Sequence, residues 1–200
     1  MVVVGYGDIG SACAKMAKNG FNMKVTGVKR NPEAVSDLQR SYCDAIVGND
    51  KYAEVIADAD YVVGVLPKVP GVTDDFFSME STFSKMKKDG VFMNIGRGTT
   101  VNEQDLAKAI NDGTIAGAVL DVFKVEPLPQ DNPLWECENL LMTPHCADHD
   151  TQHLHRSLKT FAENLNIFES EAVEKLKNVY DKRIQVNLAV TGCKYSIQSL

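Results

Sequence analysis

Four side chains able to hold a small acid and move a proton lie in three short segments. Arg97 is in Asn94-Ile95-Gly96-Arg97-Gly98, Asp121 and Glu126 are in the run from Leu120 to Pro127, and His145 closes Thr143-Pro144-His145. The planar guanidinium of Arg97 suits a carboxylate, which it can take through two parallel hydrogen bonds. An imidazole such as His145 changes charge near neutral pH and can give or accept a proton there. Glu126, within reach of that ring, would orient it and favour its charged form. Singly, each has an ordinary explanation: a surface cation, a loop carboxylate before Pro127, a hydrogen-bonded residue at a strand end. Together they suit reduction of a 2-oxo acid. Arg97 would hold the carboxylate and polarise the carbonyl beside it, and His145 would protonate the carbonyl oxygen as hydride arrives from a nicotinamide.

A hydride donor needs a seat, and the front of the chain supplies one. Gly5-Tyr6-Gly7-Asp8-Ile9-Gly10 follows Val2-Val3-Val4 directly, and Ser11 to Lys18 reads as a helix stopping at Asn19-Gly20. In such a strand-turn-helix unit Gly5 permits the tight turn, Gly7 lets backbone approach a pyrophosphate, and Gly10 lets helix pack closely on strand. The turn through Asp8 and Ile9 presents the helix N-terminus, whose unpaired N–H groups and partial positive charge favour phosphate. An acidic residue at the end of the second strand would accept the ribose hydroxyls of NAD. Lys29-Arg30 stands there instead. A carboxylate would repel a 2′-phosphate, whereas this pair suits one, so NADP(H) is favoured and NAD(H) remains possible. The plain alternative is two solvated turn residues ahead of Pro32.

The elements that must position these groups follow a simple rhythm. Apolar runs occur at Val2 to Val4, Met23 to Val28, Ala45 to Val47, Tyr61 to Leu66, Gly90 to Ile95, Ala116 to Val122 and Leu140 to Thr143. Helical stretches are predicted between them at Pro32 to Ser41, Tyr52 to Ala57, Met79 to Lys87 and Val101 to Asn111. This alternation implies an α/β fold, a Rossmann-type doubly wound parallel sheet with helices on both faces and right-handed crossovers. Arg97, Asp121, Glu126 and His145 then all follow strand ends, on the edge where open α/β sheets bind ligands. From Asp148 to Ser170 a longer helix is predicted. Its stripe of Leu154, Leu158, Phe161, Leu165 and Phe168 needs a partner, most simply the chain's own sheet layer, with an adjacent domain or subunit as the alternatives.

Bulk properties narrow the class. The chain has 200 residues, 44% of them hydrophobic, which suffices for one well-cored domain with an appended piece. A net charge of -6 argues against a general nucleic-acid or acidic-membrane surface. No run approaches a membrane span, and the three valines ending at Gly5 do not form a signal peptide. Five scattered cysteines without a C-x-x-C spacing fit reduced thiols in a cytoplasmic protein. His145, Cys146, His149, His153 and His155 crowd one stretch, but they lack the spacing of a structural zinc site, and no metal is expected.

The glycine run, the Asn-Ile-Gly-Arg-Gly segment, Leu120 through Glu126-Pro127-Leu128-Pro129 to Asn132-Pro133-Leu134-Trp135, and Thr143-Pro144-His145 resemble, in order and spacing, the D-isomer-specific 2-hydroxyacid dehydrogenase family. The resemblance covers residues 2 to about 182. It implies catalytic roles for Arg97, Glu126 and His145, a nicotinamide carboxamide contact at Asp121, and cofactor-lining segments at Leu66-Pro67 and Asn94-Ile95. Lys29-Arg30 is similar to the NADP-preferring glyoxylate and hydroxypyruvate reductases of that family. A small 2-oxo or 2-hydroxy acid as substrate and a homodimer are implied likewise. The domains expected are a dinucleotide-binding unit over 1–148, a long helix and return segment over 149–182 that in the family packs on a substrate domain, and a tail over 183–200. The larger part of that substrate domain precedes the cofactor fold in the family and has no counterpart ahead of Val2. A cofactor-binding module without catalysis is therefore the alternative reading. Cys146-Ala147-Asp148 and Lys68-Val69-Pro70-Gly71 depart from the family's usual loops.

Overall fold

A computed structural model describes residues 1–170 and 173–177 of the chain. The return segment beyond 177 and the tail over 183–200 lie outside the described residues. By its internal contacts the chain divides after Ala147.

Seven parallel strands form one sheet among the described residues, in the order β3-β2-β1-β4-β5-β6-β7. They are β1 (Val2–Val4), β2 (Thr26–Val28), β3 (Ala45–Val47), β4 (Tyr61–Gly64), β5 (Val91–Asn94), β6 (Gly117–Leu120) and β7 (Leu140–Met142). Each falls within its predicted run, trimmed where the chain leaves the ladder. The helices are α1 (Asp8–Phe21), α2 (Asp37–Arg40), α3 (Tyr52–Ala57), α4 (Glu103–Asn111) and α5 (His153–Glu169). Short 3₁₀ turns at Asn49–Lys51, Phe83–Lys85, Gly98–Thr100 and Pro133–Glu136 join them in the first unit.

Strand alternation divides the core. Val2 and Val4 face a large cluster with Ile56, Val62, Phe92, Leu106 and Leu120, and Val3 faces a smaller one with Tyr6, Ala14, Ala17 and Val25. Phe77 and Phe83 each lie against Phe92 with ring centroids 5.0 and 5.3 Å apart, at the spacing favoured by tilted and edge-on rings. On the opposite face α1 turns Gly10, Ser11, Ala14 and Ala17 inward, a row of small residues that brings the helix close to the strands.

In the first unit four predicted helices differ from their expected extents, each for a local reason. The first passes through Asn19-Gly20 and ends where Asn22 takes a left-handed conformation at φ 53°, its N–H donating to the Ala17 carbonyl. Pro32 to Ser41 yields only α2. Asn31 Oδ1 accepts the Glu33 N–H at 3.2 Å and makes a turn, and helix begins only where Ser36 Oγ caps it by accepting the Gln39 N–H. Met79 to Lys87 is not α-helical: Ser78 and Ser81 hydroxyls bond each other at 2.9 Å and draw the backbone into turns before the short 3₁₀ segment. Val101 pairs in a bridge with Phe77, so α4 starts after Asn102, whose side chain accepts the Asp105 N–H. In the second unit α5 starts at His153 and has no buried residue, and its five apolar stripe residues are all exposed, Leu165 least at 45%.

Candidate active site

The order of the strands reverses between β1 and β4, and the crevice above that point is where such sheets take ligands. Val65 N–H donates to the Val4 carbonyl at 2.8 Å, so the segments leaving the two strands run side by side. Gly5 has φ +99°, and a Cβ there would lie 2.5 Å from the Val65 carbonyl oxygen, which leaves glycine as the residue that fits. A Cβ on Gly7, by contrast, would meet nothing within 4 Å. Gly7 is the N-cap of α1 with no side-chain cap, leaving the first-turn N–H groups without intrahelical partners. An open glycine at an uncapped helix start fits a pyrophosphate.

The other predicted cofactor residues sit around this crevice with different exposures. Ile9 is exposed, Leu66 packs partly against the core, Pro67 is exposed and Ile95 is half-buried. Asp8 Oδ1 accepts from Gln39 Nε2 at 3.1 Å, and Tyr6 Oη donates to the Gln39 carbonyl at 2.9 Å, linking the glycine turn to α2. Lys29 leaves β2 with its N–H on the Val47 carbonyl, and exposed Arg30 follows it. No carboxylate stands at the end of β2 to oppose a 2′-phosphate.

At the ends of β5, β6 and β7 the structure brings Arg97, Glu126 and His145 to one cavity of about 160 Å³, which Lys68 and Thr99 also line. His145 Nδ1 and Glu126 Oε2 are 2.7 Å apart, and Glu126 Oε1 accepts the Phe123 N–H at 2.9 Å. The Glu126 hydrogen bond, with its negative charge, raises the His145 pKa above the ordinary 6.5, against smaller lowering effects from desolvation and Arg97. Burial pushes Glu126 upward, but the bonds from His145 and Phe123 outweigh it and leave the carboxyl below its usual range.

Arg97 is held by its backbone. Its carbonyl accepts from Asn94 Nδ2 at 3.1 Å, the Thr100 N–H at 3.1 Å and Thr100 Oγ1 at 2.6 Å. Asn94 is fully buried, and its Oδ1 takes the Gly96 N–H, so its side chain is occupied in shaping this turn. Next to it a Cβ on Gly98 would lie 1.9 Å from the Phe123 backbone, a contact that only glycine allows.

Asp121 is only 4% exposed and faces the loop that carries His145. Its Oδ1 accepts from Thr143 Oγ1 at 2.6 Å and the Cys146 N–H at 2.9 Å, and its Oδ2 from the Ala147 N–H at 3.0 Å. Burial raises its pKa, yet these donors together hold it below the usual value. The sequence singles out Asp121 for a cofactor contact and gives no sign of this anchoring. Glu103 was missed altogether. Only 7% exposed at the start of α4, it accepts the Lys124 N–H and Asn132 Nδ2, both at 2.7 Å, and ties down the segment carrying Glu126. A carboxylate on the otherwise apolar inward face of α4, beside Leu106, Ala107 and Ile110, was the available signal. Thr73 fastens the loop at Lys68-Val69-Pro70-Gly71, donating to the Pro67 carbonyl and accepting the Val69 N–H, both at 2.8 Å. Among the described residues no group of three metal-donor side chains comes together.

A doubly wound parallel sheet with an uncapped glycine turn at its switch point is a dinucleotide-binding domain of the Rossmann type. Residues 1–147 match the family model described as D-isomer specific 2-hydroxyacid dehydrogenase, NAD binding domain, and the chain belongs to that family. It is 37% identical over 157 residues to glyoxylate/hydroxypyruvate reductase B of Enterobacter sp. (strain 638), covering 76% of this chain and 45% of that protein. Over 158 residues it is 37% identical to a probable 2-ketogluconate reductase of Dictyostelium discoideum, covering 76% and 44%. The chain thus spans about half the length of these curated relatives. Among solved structures it resembles a D-isomer specific 2-hydroxyacid dehydrogenase from Xanthobacter autotrophicus Py2 in complex with NADPH and MES. The TM-score is 0.76 at 32% identity, over 92% of this chain and 71% of that one. An NADPH-dependent glyoxylate/hydroxypyruvate reductase from Sinorhizobium meliloti, in complex with NADP and sulfate, gives 0.77 at 27% identity, over 91% and 55%.

Proposed function

We propose that this chain forms the cofactor half of an NADP(H)-dependent oxidoreductase that interconverts a 2-oxo acid and its D-2-hydroxy acid, of the glyoxylate and hydroxypyruvate type. The observation that carries the reading is the 2.7 Å His145–Glu126 pair beside Arg97 in one cavity.

Gly5, Gly7 and Gly10 with the first turn of α1 would hold the pyrophosphate, and Asp8 and Ile9 belong to the same turn. Lys29 and Arg30 would take the 2′-phosphate, which supports NADP(H) as the preferred form. Leu66, Pro67, Asn94, Ile95 and Asp121 would flank the nicotinamide end. The bound dinucleotide supplies the hydride. Arg97 holds the substrate carboxylate with its fork and draws electron density from the adjacent carbonyl. His145, protonated and oriented through Nδ1 by Glu126, gives its Nε2 proton to the carbonyl oxygen in reduction and takes one back in oxidation. A homodimer in the cytoplasm completes the reading.

The test is NADPH consumption with glyoxylate and hydroxypyruvate, alongside NADPH binding followed by melting temperature. Turnover that falls about 10²- to 10⁴-fold in His145→Gln, with NADPH affinity kept within about twofold, is the expected result. A cofactor-dependent rise in melting temperature with no oxidation by any 2-oxo acid would overturn the enzyme reading and leave a binding module. No rise with either NADPH or NADH would overturn that as well.

A further inference from the structure

The acid–base pair and Arg97 leave one charge of the cavity unused. Lys68, from the loop after β4, lines the same space as Arg97 and His145, and no ion pair or hydrogen bond holds its ammonium among the described residues. The other basic groups are placed differently. Lys124 is bonded to Asp75, and the Arg97 guanidinium donates to the neighbouring Gly96 carbonyl at 2.7 Å and keeps the rest of its fork available. On the acidic side Glu126 is paired with His145, and buried Asp121 is saturated by three donors from the 143–147 loop. Two cations without carboxylate partners therefore share a cavity in which a monocarboxylate can satisfy one. Thr99, in the same wall, has a buried Oγ1 with no hydrogen-bond partner among the described residues.

We propose that, among the 2-oxo acids this reading allows, the site favours one bearing a second anionic group over the monoanions glyoxylate and hydroxypyruvate, with Arg97 taking the carboxylate beside the oxo carbon and Lys68 the second anion. The inference rests on the reading of Arg97 as carboxylate anchor. An ammonium on a flexible stem is a point charge without the directional fork of a guanidinium, so it accepts a carboxylate or a phosphate-like group alike. Thr73 fixes the root of this stem by bonding both Pro67 and Val69. Lys68 therefore works from an anchored loop, with its exposed side chain at the rim of the cavity.

The experiment is calorimetric titration of the whole chain, saturated with NADP⁺ so that no hydride can be transferred, using three probes: pyruvate, 2-oxoglutarate and phosphonopyruvate. At least one dianion is expected to bind about tenfold or more tightly than pyruvate, as a charge-assisted contact warrants. Which dianion gains identifies the second group as carboxylate or phosphate-like. In Lys68→Gln the ratio of dianion to pyruvate affinity should collapse towards one, and in Lys68→Arg it should persist. A ratio near one in the parent protein, or one unchanged in Lys68→Gln, overturns the proposal. So does a Lys68→Gln variant that loses NADPH affinity while keeping the ratio, which would place the ammonium on the cofactor. Arg97→Gln tests the underlying reading separately: unchanged pyruvate affinity there overturns the role of Arg97 whatever Lys68 does.

Discussion

At φ 51° His145 occupies the left-handed region, where a non-glycine residue is held only by strong local constraints. Glu126 fixes the ring and Asp121 fixes the backbone on its far side. In the proposed mechanism reduction needs the charged imidazole, and Glu126 raises the His145 pKa above 6.5. The reductive rate should therefore hold past pH 6.5 and fall as pH rises through the raised value. In Glu126→Gln the midpoint should move down, read from the pH profile of NADPH consumption. Stability follows the same signs. The His145 contribution is present below 6.5 and lost as pH rises through the raised pKa. The Glu126 contribution is present above its ordinary 4.5 and lost as pH falls through the lowered one. Chemical denaturation across pH should show the pair's largest effect between those limits. Arg97, Glu126 and His145 were readable as a set because each follows a strand whose end could be located. The role of Asp121 as an anchor was not, since its partners are two backbone N–H groups and a hydroxyl some twenty residues away.

Whole elements were legible in proportion to how much of their stability comes from their own residues. All seven strands and α3 stand where apolar runs and turn signals put them. Pro32 to Ser41 and Met79 to Lys87 failed because Asn31, Ser36, Ser78 and Ser81 turn their side chains onto nearby backbone, a competition that apolar periodicity does not register. The same level contains the supports of the site. Glu103→Ala would leave the Lys124 N–H and the Asn132 amide without their acceptor. The expected loss is roughly 1–3 kcal/mol in denaturant unfolding. Gly98→Ala forces a methyl into the Phe123 backbone, and an overpacking cost of about 1–3 kcal/mol should appear as a lowered melting temperature.

Over the whole molecule the parallel order β3-β2-β1-β4-β5-β6-β7 puts the glycine turn and the acid–base pair on one carboxyl edge. Every residue of both hydrophobic clusters lies between Met1 and Met142. A chain ending at Ala147 should therefore fold cooperatively and bind NADPH within about twofold of the parent, as checked by thermal melting and titration. In the proposed function cofactor choice falls to Lys29 and Arg30 at the carboxyl end of β2, across the β1–β4 switch point from the His145–Glu126 pair. Replacing Lys29 and Arg30 by alanine should weaken NADPH about tenfold or more while leaving NADH nearly unchanged, since only the former carries the phosphate they would meet. The exposed stripe of α5 was visible as a pattern, but its partner was not, because periodicity marks an apolar face without naming what covers it.

The clamp of Asp121 on Thr143, Cys146 and Ala147 makes β6 and the His145 loop a single transplantable part. Grafting that loop alone onto a related scaffold would separate two backbone donors from the carboxylate that orders them. A chimera exchanged from residue 117 to 147 as one block, with a carboxylate kept at position 103, retains the partners of Asp121, Glu126 and His145 together.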